Sequence, residues 1–174
     1  MPDSISYLVP GAEIIPVEAQ DKSMACWATV LTMLASWKNQ QCYSIETATE
    51  MIGEEYKKIY KENTGLYPDK VEGFASASGL KIEWPQCSTP ENIRDLLESY
   101  GPIAVIDDED PSSNFCVHAR LVTGIHGDGT DDHTYLKILD PDGGQTYDEA
   151  FDVFESKYES MAEAQGWTIQ MLHY

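Results

Sequence analysis

Residues 26–37, CWATVLTMLASW, constrain this chain more than any other stretch. The run is apolar nearly all round, so as a helix it offers no face suited to water and has to run through the interior, wrapped by the rest of the chain. The chain has 174 residues, enough for one domain with one core that removes about two thirds of its unfolded surface from water. No internal repeat, low-complexity tract or linker divides it, so residues 1–174 are read as a single domain. The question is why a cysteine, Cys26, stands at the head of so buried a helix, six residues after Gln20 and next to Trp27.

Charge narrows the function classes. Eleven Lys and Arg against 30 Asp and Glu leave a formal charge of -19, which repels phosphate backbones and anionic membrane surfaces. No nucleic-acid or membrane partner is therefore expected. No apolar run reaches the roughly 18 residues of a spanning helix, and no basic segment followed by a hydrophobic one marks a secretory signal. Cys26, Cys42, Cys87 and Cys116 lack the paired spacing of a zinc site and are expected as free thiols, because a core of this size needs no covalent staples. Asp128, Asp131 and Asp132 share one loop but lack the closing glutamate of an EF-hand. No metal and no cofactor is implied.

Helical patterns fill the first half: Ser23 to about Lys38, Ser44 to about Glu62 with a break at Gly53, Asp69 to Ser78, and Thr89 to Tyr100 with proline at its first position and Gly101-Pro102 as its stop. Strand-like segments follow at Leu80 to Trp84, Ile103 to Ile106, Val117 to Ile125 and Tyr135 to Leu139, the last two joined by a Gly/Asp-rich hairpin loop. Asp107, Asp108, Glu109 and Asp110 read as a solvated loop. A helix from about Asp148 to Ala164 and a strand from Trp167 to His173 complete an α+β pattern.

Four residues carry the chemistry of acyl transfer. Ser23 is expected to cap the first helix and so to place Cys26 in its first turn, where unpaired N–H groups and the helix dipole favour a thiolate. Gln20, just upstream, can donate to an oxyanion beside the Cys26 N–H. His118, at the start of a strand, can serve as base and then acid. Asp140, at the end of another, can orient the imidazole. Taken singly, each has a bland reading: a buried thiol, a surface amide, a structural histidine and a turn-starting aspartate. His126, His133 and His173 are read as exposed or structural.

Together the four ordered residues resemble the papain-like cysteine peptidases. The likeness is nearest to compact bacterial members, namely the effector peptidases of plant pathogens and the double-glycine peptidases that process bacteriocin leaders. "YLVPGAEIIPVEAQDKSMACWA" and "HARLVTGIHGDGTDDHTYLKILDPDGG" carry it, from about Tyr7 to Gly144. The resemblance implies Cys26 as nucleophile, His118 as base and acid, Asp140 as orienter and Gln20 as oxyanion donor. It also implies a helical half, about 1–100, with a central nucleophile helix, packed on an antiparallel β half, about 101–174. The long acidic helical segment between Asn39 and Pro90 departs from it.

The expected activity is an endopeptidase acting through an acyl-enzyme, in a bacterial effector or toxin domain sent by a dedicated system into the cytoplasm of a target cell. Its partners would be a protein substrate, cut at a Gly-Gly or other small-residue site, and a cognate immunity protein. The same triad also serves peptidoglycan amidases or endopeptidases and glutamine deamidases or transglutaminases. A binding module that keeps only the fold is a third class, against which the presence of all four elements argues.

Overall fold

The computed structural model describes residues 4–86, 88–110, 116–163 and 166–174. Its centre is α1 (Cys26–Asn39), in which residues 27–36 are all buried. The hydroxyls on this dry helix are satisfied locally, with Thr29 and Thr32 donating to the carbonyls of Ala25 and Ala28 at 3.0 and 2.8 Å. Buried hydroxyls so paired avoid the penalty of an unmet donor. Four further helices follow: α2 (Ile45–Met51), α3 (Glu54–Glu62), α4 (Pro68–Ser78) and α5 (Pro90–Tyr100). Gly53 breaks α2 from α3 as expected, and Ser44 and Thr89 cap α2 and α5 by accepting the N–H groups of Thr47 and Asn92 at 3.1 and 3.3 Å.

The sheet contains β1 (Ile5–Leu8), β2 (Lys81–Glu83), β3 (Ile103–Asp108), β4 (Val117–Gly127), β5 (Thr134–Asp140), β6 (Gln145–Ala150) and β7 (Met171–His173). Its order is β2-β7-β3-β4-β5-β6, and every pair is antiparallel. The long β4 takes β3 along its first half and β1 along its second, with an irregularity between Val122 and Gly124. A sixth helix, α6 (Phe151–Glu163), packs on β3, β5 and β6 and buries Phe151, Phe154, Tyr158 and Met161. The fold is α+β, with helices leading and antiparallel strands following.

Three expectations need correction. Residues 148–150, expected to open the last helix, belong instead to the strand Gln145–Ala150, and the helix begins at Phe151; its expected end at Ala164 lies outside the described residues. Pairing with β5 across the turn after Asp140 outweighs the helical preference of Glu149 and Ala150. β1 is an unanticipated strand, too short to signal itself without β4 beside it. Asp107 and Asp108 are not solvated but end β3 in the interior, 0% and 2% exposed. Asp108 is held there by the N–H groups of Asp110 and Cys116, at 3.2 and 2.8 Å, and by the Ser160 hydroxyl at 2.7 Å.

The turn from β5 to β6 brings the chain against the segment that precedes α1. Gly144 has φ +63°, and a Cβ there would stand 2.9 Å from the backbone nitrogen of Ala19. Gly79 has a similar φ of +72° but open space around it. Replacing Gly144 by alanine should therefore destabilise the protein by about 1–3 kcal/mol, measurably more than the same change at Gly79. Equal losses for the two in urea denaturation would contradict this contact.

Candidate active site

A cleft of about 540 Å³ is lined by both halves of the molecule, and Gln20, Cys26, His118 and Asp140 all face it. Cys26 is the first residue of α1, and the helix has Ala25 at its cap position with no side-chain cap. This corrects the expected role of Ser23. Its hydroxyl oxygen instead accepts from Asn63 Nδ2 at 3.0 Å, while Asn63 Oδ1 accepts the Met24 N–H at 2.9 Å. Asn63 lies in the left-handed region at φ +53° as it ends α3. Tyr60 donates to Asp21 at 2.6 Å, so α3 holds the whole segment that leads into the cysteine. An uncapped helix start leaves its first N–H groups and its positive dipole end to whatever occupies the cleft.

His118 is the second residue of β4, and Asp140 is the last of β5. Asp140 Oδ1 lies 2.7 Å from His118 Nε2, and the imidazole and the Cys26 thiol line the same cleft. Burial disfavours the charged imidazole, but the hydrogen bond it makes to Asp140 and its interactions with Cys26 and the Asp140 charge outweigh it, and the pKa of His118 is pushed up to about 10. Burial likewise opposes ionisation of Asp140, but hydrogen bonds from His118, the Asp142 N–H and Tyr147 prevail and hold its carboxyl below the ordinary range. The arrangement sets an imidazole held by a carboxylate in the cleft that the cysteine at the head of α1 also lines.

Gln20 is tied to the same turn as Asp140, its N–H donating to the carbonyl of Pro141 at 2.8 Å. Its side-chain amide is directed into the loop before Cys26, donating to the carbonyls of Lys22 and Ser23 at 3.0 and 3.1 Å. Gln20 Oε1 is buried without a partner.

The other histidines lie apart from this group. His126 pairs with Asp148 at 3.2 Å on the surface, His133 is exposed beside Asp128, and His173 is buried against Glu83 at 2.7 Å and stacked on Tyr100. Asp128 accepts the N–H and hydroxyl of Thr130 at 2.9 and 2.6 Å, closing the hairpin loop on itself. Cys26, Cys42 and Cys116 are free thiols, and Cys87 lies outside the described residues. No described helix is long and apolar enough to cross a membrane.

Sequence reasoning missed Tyr147, whose hydroxyl donates to Asp140 Oδ2 at 2.8 Å, and Arg120, which donates to Tyr147 at 2.9 Å. The signal was the alternation of Tyr147 and Glu149 on one strand face, hidden while the residues from about Asp148 onward were read as helix. It also missed the apolar wall of the cleft, made by Met24, Leu66, Tyr67, Val117 and Trp167.

Residues 11–159 match the sequence model of a protein family described as papain-like cysteine protease AvrRpt2. No curated protein matches the chain.

The raised pKa of His118 fixes a pH dependence. Its native form holds a proton more tightly than the ordinary 6.5, so the stability this confers is complete below pH 6.5 and is lost as the pH rises through about 10. NMR of the ring nitrogens should show His118 deprotonating near pH 10. In the Asp140→Asn variant the midpoint should fall by about 1–3, the effect of a neighbouring opposite charge. An unmoved midpoint would rule out Asp140 as the source.

Proposed function

The chain belongs to the papain-like cysteine protease AvrRpt2 family, and from that footing we propose that it is an endopeptidase working through Cys26, His118, Asp140 and Gln20. One observation carries the assignment: His118 is bonded to Asp140, and the pair faces the same cleft as Cys26 at the head of α1. A thiolate paired with an imidazolium is the form in which cysteine attacks carbonyl carbon.

On this assignment the reaction passes through an acyl-enzyme. Cys26 sulfur attacks the peptide carbonyl, and the C=O π pair moves onto oxygen. The resulting oxyanion takes the Cys26 N–H at the uncapped helix start, with Gln20 as second donor. Gln20 has to turn its amide from the carbonyls of Lys22 and Ser23, exchanging neutral hydrogen bonds for a charge-assisted one that is about twice as strong. Collapse of the intermediate expels the amine, which leaves with the proton of His118, and a thioester remains on Cys26. Water then attacks this thioester while His118 takes one of its protons, and the carboxylic acid departs as Cys26 and the imidazolium are restored. Asp140 keeps the ring oriented throughout.

The setting is proposed on the resemblance to bacterial effectors: a domain delivered into another cell, cutting a protein there at a small-residue or Gly-Gly site. A producer that is itself vulnerable needs an immunity protein. The charge of -19 favours an inhibitor or substrate that presents basic groups. A neighbouring gene product that co-purifies with the domain would support this.

A proteome treated with the domain should gain new N-termini that are absent after treatment with Cys26→Ala, which should stay folded. His118→Ala should slow cleavage by about 10²–10⁴-fold, and Gln20→Ala by up to about 10²–10³-fold, the worth of one oxyanion donor. Substrates altered by about one dalton without a cut would instead indicate deamidation, and lysis on export to the periplasm would indicate cell-wall hydrolysis. Cleavage by Cys26→Ala equal to that of the parent would end the proposal.

A further inference from the structure

Resting on that reading of the site, we propose that Tyr147 is a positioning residue: with its hydroxyl direction set by Arg120, it pins the second oxygen of Asp140 and so keeps that carboxylate aligned with His118.

The direction of the Tyr147 hydroxyl is forced. A phenol can donate or accept, whereas a guanidinium only donates and a carboxylate only accepts. Arg120 Nη1 donates to Tyr147 Oη at 2.9 Å, so the phenol proton is left to point at Asp140 Oδ2, 2.8 Å away. Asp140 Oδ1 is shared by His118 and the Asp142 N–H, at 2.7 and 2.8 Å. Both oxygens are thus held, and the carboxylate cannot swing away from the imidazole without breaking a bond. Tyr147 lies opposite Ile138, two residues before Asp140, so it stands on the same sheet face as Asp140.

Arg120 is itself fixed. It is 1% exposed, and its terminal nitrogens meet Glu149 through two 2.9 Å bonds, Asp107 and Tyr147. These four contacts use all four of its terminal hydrogens. Its Nε lies 2.9 Å from Glu109, at an angle too bent for a hydrogen bond. Lys157 of α6 joins Glu149 and Glu109 at 2.6 and 2.9 Å. The guanidinium therefore has no spare rotamer, and it passes that rigidity to the hydroxyl of Tyr147.

Tyr147→Phe removes one oxygen and keeps the ring. Without the donated hydrogen bond the Asp140 carboxylate is less stabilised, so it takes up a proton at higher pH and releases His118 there. The test follows alkylation of Cys26 by iodoacetamide as a function of pH, with the modified peptide identified by mass spectrometry, so no substrate is needed. Tyr147→Phe should melt within a few degrees of the parent, and the acid limb of its rate profile should move toward neutrality by about one pH unit. In an Asp140→Asn background the same substitution should leave the profile where it was, because Tyr147 acts only through that carboxylate. A Tyr147→Phe profile superimposable on the parent, or a shift that survives in Asp140→Asn, overturns the positioning role. If the parent and Asp140→Asn react alike at every pH, the reading of the triad itself has failed.

Discussion

The hydrogen bond between His118 and Asp140 is the constraint around which the site is organised, because it locks the ends of two neighbouring strands into one geometry facing the cleft that α1 also lines. His118 enters β4 straight after a loop, and Asp140 leaves β5 straight before a turn. Both sit at one edge of the paired ladder, and the register that aligns Leu121 with Leu139 keeps them there. Opposite stands the head of α1, whose buried length leaves the cysteine no freedom to withdraw. A slip of one residue between β4 and β5 would turn the imidazole or the carboxylate to the other face.

Electrostatics explain how a chain so rich in carboxylates keeps a cation at its centre. Arg120 is the only Lys or Arg fully buried among the described residues, and three carboxylates converge on it. Burial drives the pKa of one of them, Asp107, up to about 6, even against the pull of Arg120. Breaking such a cluster by removing one partner is far more costly than its net contribution suggests, since the remaining charges stay in the interior. Joined to Asp140 through Tyr147, the cluster braces that end of the sheet, and α6 closes it through Lys157.

Much of this was legible in the residues alone. Caps and breaks at Ser44, Gly53, Thr89 and Gly101 act over a few positions, and they read true because nothing distant competes with them. The four cleft residues could be named because acyl transfer needs a particular set of groups, and the resemblance supplied their order. What escaped notice depends on partners far along the chain. β6 is polar and looks helical until β5 lies beside it, and Asp107 and Asp108 look like loop carboxylates until Arg120 and Ser160 reach them. Ser23 had the chemistry of a helix cap, yet Asn63 from 40 positions away claimed its hydroxyl.

The central claim is that reactivity here follows the company a thiol keeps and not its exposure. Cys42 and Cys116 are exposed, whereas Cys26 is only partly so. Exposed to a limiting amount of an electrophile at neutral pH, the folded protein should be modified first at Cys26, and His118→Ala should remove that preference. Modification of Cys42 or Cys116 ahead of Cys26 in the parent protein would contradict the account.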